Sequence, residues 1–208
     1  MKQNRQTTAL SGVADSVDGR TMRRQRNRTA VIAALLDMVR EGDLHPGAAE
    51  IAERAGVSHR SVFRYFDDLD DLVRTTIDQA FHDAEPISRI PDLGTGTLDE
   101  RVAAMIDARV ALYERVDGPM QLARMRSYTI PSIDDEIAAI AAQFRDQLRQ
   151  HFAPELSGVD HPEREFVVDG ILVLTSYDAY AIHLRLLASS PERMRATWIT
   201  GVSALLGA

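Results

Sequence analysis

Cysteine is absent from the 208 residues, lysine occurs once, at Lys2, and no long uninterrupted apolar run is present. Without cysteine there is no disulfide framework, no thiolate metal site and no cysteine nucleophile. That fits a reducing compartment. Uninterrupted apolar runs, such as Ile137–Ala142, are far too short to span a bilayer. Residues 1–21 are polar and lack the apolar core of a signal peptide. The chain therefore reads as soluble and cytoplasmic, with no membrane partner. Metal and nucleotide chemistry find little support. The six histidines, His45, His59, His82, His151, His161 and His183, show no two-histidine metal spacing on one helix face. There is no nucleophile elbow and no glycine-rich phosphate loop. Asp134-Asp135-Glu136 stands at a helix start, where acids are expected for dipole reasons. The expectation is a non-enzyme with no cofactor and no metal.

Hydrophobic residues make up 45% and charged residues 26%, an ordinary globular composition for one large domain or two small ones. The net charge of −7 is unevenly spread. Residues 1–66 hold 11 Lys+Arg against 7 Asp+Glu, whereas residues 67–208 hold 13 against 24. A basic third joined to an acidic remainder suggests a nucleic-acid-binding head on a body that does not touch nucleic acid.

No β pattern and no internal repeat appears, so the chain reads as all-α with about nine helices. Residues 1–20 lack apolar periodicity and are expected to be a disordered tail. Arg20, Arg23, Arg24, Arg26 and Arg28 follow closely and suit phosphates or a minor groove, or simply a solvated tail. A first helix is expected from Arg23 to Arg40, with Val31, Leu35 and Met38 on one face and Gly42 as the stop. A second short helix, Gly47 to Ala55, ends at Gly56, and Ser58 caps a third that runs to Phe66. Asp67 to Asp71 form an acidic joint before a fourth helix to His82. Pro86, Pro91, Gly94 and Gly96 mark a linker, and Thr97-Leu98-Asp99-Glu100 is a capping-box pattern opening a helix to Val116. Gly118-Pro119 should break the chain, with a short helix to Tyr128 beyond. Further helices follow from Ser132, over 162–188, and from Pro191 onward. The implied division is a tail over 1–20, a basic head over 21–82 and a helical body over 83–208.

The second and third helices carry the functional signal. Ile51, Ala52, Ala55 and Val57 supply a tightly packed side, and Val62, Phe63 and Phe66 an apolar back. The outward positions are then His59, Arg60, Ser61, Arg64 and Tyr65. Arginine and histidine can donate to base edges, and hydroxyls suit phosphate oxygens. Arg60 is the leading candidate for base readout, with a phosphate clamp as the alternative. Tyr65 suits a phosphate oxygen, or packing against the first helix. Glu50-Ile51-Ala52-Glu53-Arg54-Ala55-Gly56-Val57-Ser58, followed by Ser61-Val62-Phe63-Arg64-Tyr65-Phe66, closely resembles the DNA-binding domain of TetR-family regulators over roughly residues 24–82. The resemblance implies an N-terminal helix-turn-helix with Arg28, Ser58, His59, Arg60, Ser61, Arg64 and Tyr65 toward DNA. It also implies a homodimer through helices at about 162–188 and 191–206, and a small-molecule effector within 97–188. Two features depart from the family pattern. Pro46-Gly47 stands where a threonine often opens the second helix. Asp67-Asp68-Leu69-Asp70-Asp71 stands where a lysine is common, and would repel phosphate unless the acids point away or cap the fourth helix.

For the effector, Leu98, Val102, Met105, Ile106, Arg109 and Tyr113 share one helix face. Arg109 on that apolar stripe meets either an anionic ligand or, as favoured by the rule that buried charges are paired, an internal acid such as Asp169 or Asp178. Tyr128, Phe144, Tyr177 and Tyr180 are candidate pocket walls, and Met105, Met120 and Met125 an adaptable lining. Two readings from other classes remain: a helical protein-interaction module, or a small-molecule binder without operator binding.

Overall fold

The computed structural model describes residues 7–207, with side chains from Arg20 onward. Among them there is no strand. The helices are α1 (Thr7–Arg40), α2 (Ala48–Arg54), α3 (His59–Tyr65), α4 (Leu69–Ala84), α5 (Leu98–Arg126), α6 (Pro131–His151), the single turn α7 (Ala153–Leu156), α8 (Glu163–Leu174), α9 (Tyr177–Ala181) and α10 (Pro191–Leu205). A 3₁₀ turn (Glu85–Ser88) follows α4, and a π-helical turn (Ile182–Leu186) follows α9. The chain divides into two compact units, Met1–Asp78 and Gln79–Ala208.

In the first unit, Val31, Ile32, Leu35, Leu36, Met38 and Val39 of α1 are buried, the face that the 3.6-residue period predicts. α1 begins at Thr7, upstream of the expected start at Arg23. No proline interrupts 7–23, and extending a formed helix adds one hydrogen bond per residue fixed. The expected tail over 1–20 lies outside the described residues for 1–6, and its side chains do so up to residue 19.

Both early turns close in the same way. The Gly42 N–H donates to the Val39 carbonyl and the Asp43 N–H to that of Met38. The Gly56 N–H donates to Glu53 and the Val57 N–H to Ala52. Each is a Schellman stop, which needs a left-handed residue after the helix, and Gly42 (φ 97°) and Gly56 (φ 65°) supply it. Gly56 thereby sets the short crossing between α2 and α3.

In the second unit, α5 runs unbroken through Pro119, against the expected break. A proline inside a helix costs ~3 kcal/mol or more. Here Val116, Pro119, Met120, Leu122 and Ala123 are all buried on either side of it, and that tertiary packing overrides the local signal. The capping box at Thr97 forms as expected, with the Thr97 hydroxyl accepting from the Glu100 N–H and the Glu100 carboxylate accepting from the Thr97 N–H.

The apolar segment expected as one helix over 162–188 is instead interrupted at Thr175-Ser176. The buried Tyr113 hydroxyl donates to the Thr175 carbonyl at 2.8 Å, and the Ser176 hydroxyl accepts from the Ala179 N–H at 3.2 Å. These two bonds replace the backbone bond that a continuous helix would place there. The stretch Glu163–Leu186 is long and apolar enough by length and composition to cross a bilayer, which reading uninterrupted runs overlooks. It is not one helix, however, and three of its four acids are ion-paired: Glu165 to Arg149 and Asp169 to Arg145, both of α6, and Asp178 to Arg124 of α5. Its Val168, Ile171, Tyr177 and Tyr180 pack into the core of the unit. α8 and α10 approach closely at Gly201, where an added Cβ would meet Leu174.

Candidate functional site

α3 is built around a buried edge of Val62, Tyr65 and Phe66, at 0%, 8% and 2% exposure. The i, i+3, i+4 spacing of these three fixes which residues face outward. They are His59, Arg60, Phe63 and Arg64, all exposed, with Ser61 half-buried at the side. Two expectations are corrected. Tyr65 does not face outward; it packs against α1, where its hydroxyl accepts from Asn27 Nδ2 at 3.1 Å and Arg64 Nη2 at 2.7 Å. Phe63 does not join the core; it stands 44% exposed with its ring edge-on to His59 at 5.0 Å. The pair Phe63 and Phe66 is equally compatible with either register, and the buried Tyr65 decides it.

The Asn27 hydrogen bond lowers the Tyr65 pKa from its ordinary value, helped by the bond and charge of Arg64 and the charge of Arg24. Arg28 lies over the Phe66 ring at 5.0 Å. Arg24, Arg28 and Arg64 thus gather a positive field around the C-terminal end of α3. Arg23, Arg24 and Arg26 are exposed, while Arg28 is half-buried. Among the described residues nothing bonds the exposed Arg60 guanidinium. Ser58 caps α3, accepting from the Ser61 N–H at 3.2 Å, and its hydroxyl lies 2.8 Å from that of Ser61. Both serines are therefore engaged in the cap.

The acidic joint resolves in the same manner. Asp68 Oδ1 accepts from the Asp71 N–H at 2.7 Å, and Asp71 Oδ2 accepts from the Asp67 N–H at 3.2 Å, a reciprocal cap on α4. Asp71 is also ion-paired with Arg74 at 2.6 Å. At the start of α2, the Glu50 carboxylate accepts from the Gly47 N–H at 2.7 Å, so Pro46-Gly47 opens a capped helix without a threonine.

The effector candidates separate into three groups. Met105, Arg109, Tyr113 and Phe144 are buried, as are Tyr177 and Tyr180. Tyr113, Tyr177 and Tyr180 form one aromatic cluster with centroids 5.5 to 6.1 Å apart, and Trp198 stands edge-on to Tyr113 at 6.5 Å. Burial pushes the Tyr113 hydroxyl up to about 12 and raises that of Tyr177 as well, so both are neutral donors. Tyr177 donates to Asp117 Oδ1 at 2.7 Å, which also accepts from Arg185 at 2.6 Å. Tyr128 does not belong with them: it is 93% exposed, at the end of the turn after α5. Met125 is half-buried and Met120 is buried.

Arg109 corrects a further expectation. It is 1% exposed, yet neither Asp169 nor Asp178 reaches it, since each is held by another arginine. Its Nη1 donates to the Ser88 carbonyl at 3.3 Å and its guanidinium carbon stands 3.5 Å from the centroid of Phe144. Burial lowers its pKa to about 10, so it stays cationic at neutral pH. Among the described residues no group of acids and histidines is placed to hold a metal.

Residues 32–76 match the model of the bacterial regulatory proteins, tetR family. No curated protein matches the chain. Several solved structures share the fold. A transcriptional regulator from Rhodococcus sp. Rha1 is 19% identical with a TM-score of 0.65, over 88% of this chain and 96% of that one. A putative transcriptional regulator from Pseudomonas aeruginosa PAO1 is also 19% identical with a TM-score of 0.65, over 90% and 92%. The multidrug binding protein EbrR, complexed with imidazole, is 16% identical with a TM-score of 0.61, over 88% and 89%.

Proposed function

For a chain that belongs to the TetR family of bacterial regulatory proteins, we propose a ligand-responsive repressor that binds a near-palindromic operator as a homodimer. Its DNA-binding and regulatory role follows from the family. The finer reading rests above all on Arg60, an exposed guanidinium on a short helix whose opposite edge is wholly buried. Arg60 reads a guanine edge, Phe63 meets a thymine methyl, and His59 and Arg64 flank them toward phosphates. Arg23, Arg24 and Arg26 add sequence-independent affinity. Two of the four acids of the joint, Asp68 and Asp71, do not oppose this, because they are turned to the α4 cap.

Dimerisation is proposed through α8 and α10. Phe166 and Val173 of α8, two turns apart on one face, are 66% and 70% exposed, and Ile199 and Leu205 of α10 are 41% and 38% exposed. Apolar residues this exposed on two neighbouring helices suit a second copy of the same surface. The two α3 helices of such a dimer enter successive major grooves about 34 Å apart. The head is assigned to residues 21–82 and the effector and dimer domain to 83–208, acting in the cytoplasm where the chromosome is. The likeness to a multidrug binding protein, EbrR complexed with imidazole, supports a small-molecule effector.

Footprinting on the DNA upstream of the chain's own gene tests this reading. A two-fold symmetric protected site is expected. Absence of protection at low salt would favour an interaction module or a binder without an operator.

A further inference from the structure

Two arginines of α5 are buried, and the chain treats them differently. Arg101, 5% exposed, is ion-paired with Glu155 and donates to the Gly96 carbonyl at 2.7 Å. Arg109, two turns on and 1% exposed, has no carboxylate. Its Nη2 has no hydrogen-bond partner, and its Nη1 bond to Ser88 is long at 3.3 Å. The Phe144 ring face offsets part of the lost hydration. An uncompensated buried charge is otherwise strongly unfavourable, and chains normally supply a partner, as this one does for Arg101.

We propose that Arg109 is the anchor for the carboxylate of a small organic monoanion, bound between α5 and α6. The proposal rests on the ligand-responsive reading above and names its ligand class. One uncompensated positive charge calls for one negative charge; a polyanion would bury its excess. A planar carboxylate matches the guanidinium fork and satisfies the free Nη2. The rest of the ligand is apolar, because Met105 and Ile106 one turn before Arg109, Tyr113 one turn after, and Phe144 are the buried neighbours on these helices. The remaining cation stays charged at neutral pH, since burial alone opposes it and only to about 10.

The test is thermal-shift titration of the full chain, without DNA, using benzoate, phenylacetate and octanoate. Benzamide and octanamide serve as neutral counterparts, and chloride and inorganic phosphate as simple anions at matched ionic strength. At least one carboxylate should raise the melting temperature in a dose-dependent way, with the amides and inorganic anions inert. Arg109→Met, which fills a similar volume without the charge, should melt at or above the wild-type temperature and bind the carboxylate at least about tenfold more weakly. Arg109→Lys, charged but without the fork, should fall between the two. The proposal is overturned if no carboxylate stabilises the chain, if the amides or inorganic anions do so equally, or if Arg109→Met responds like wild type. A lower melting temperature for unliganded Arg109→Met also overturns it, since that marks a purely structural arginine. The regulator reading fails separately: loss of operator binding by the unliganded wild-type chain would remove it and leave the anion site standing. Carboxylate binding that leaves operator affinity unchanged would keep the site but remove its effector role.

Discussion

Replacing Tyr113 with phenylalanine removes one oxygen from the core of the second unit and leaves everything else in place. The ring is 2% exposed and packs against Tyr177, Tyr180 and Trp198, contacts that phenylalanine retains. The hydroxyl donates to the Thr175 carbonyl at 2.8 Å, inside the interruption between α8 and α9. Thr175 is 1% exposed, so no water replaces the lost donor. A buried carbonyl left unpaired costs ~1–3 kcal/mol. For a chain of 208 residues, each kcal/mol lowers the melting temperature by about 2–4 °C, so about 2 kcal/mol gives a drop of about 4–8 °C. Trp198 is the single tryptophan, is 0% exposed and lies 6.5 Å from the Tyr113 ring, so its fluorescence reports this unit alone. A shift below about 1 °C would show that the hydroxyl does not hold the Thr175 carbonyl, since even the low end of the unpaired-carbonyl range predicts more.

Three further outcomes are expected. His151 is 0% exposed, with Nδ1 accepting from the Gly94 N–H and Nε2 beside the Arg101 carbonyl; burial lowers its pKa below the usual value, with Arg101, Glu155 and Arg109 as the charges around it. The unfolded imidazole, titrating near about 6.5, takes up its proton first, so stability of the second unit should fall as pH drops below that value; the slope should flatten in His151→Gln, measured by Trp198 fluorescence. Asp68→Ala removes the cap on α4 and should destabilise the chain by about 1 kcal/mol in denaturant melts, while binding DNA no more weakly than wild type, because that carboxylate faces its own helix. Phe166→Asp places a charge on the exposed face of α8 and should convert the proposed dimer to monomer in sedimentation, with little change in the folded monomer's helical content.

Long periodic helices were legible in the chain, and sites that depend on partners distant in sequence were not. α1 from Arg23 onward, α6 and the capped start of α5 follow from spacing and from Thr97-x-x-Glu100, whereas the extension of α1 back to Thr7 does not. The turn between α2 and α3 follows from Gly56 and Ser58, because those residues determine the backbone whatever surrounds them. Pro119 and the Thr175-Ser176 interruption could not be read locally. One is overridden by burial on both sides, and the other is imposed by a hydroxyl 62 residues away. The roles of Phe63 and Tyr65 were exchanged because two aromatic residues one position either side of Arg64 compete for the buried edge; Asn27 on α1 secures Tyr65. Asn27 itself carried no sequence signal. Arg109 was legible as an anomaly, but its lack of an acid appears only once Arg124 and Arg145 are seen to hold Asp178 and Asp169.

The central claim is that the exposed face of α3 reads DNA sequence, and Arg60 tests it most directly. Fluorescence anisotropy should compare wild type and Arg60→Ala on the footprinted operator and on a scrambled duplex of equal length. Loss of one good base contact is worth ~1–3 kcal/mol, so operator affinity should fall about 5- to 150-fold while scrambled-duplex affinity changes far less. An equal loss on both duplexes, or none on either, would contradict the claim.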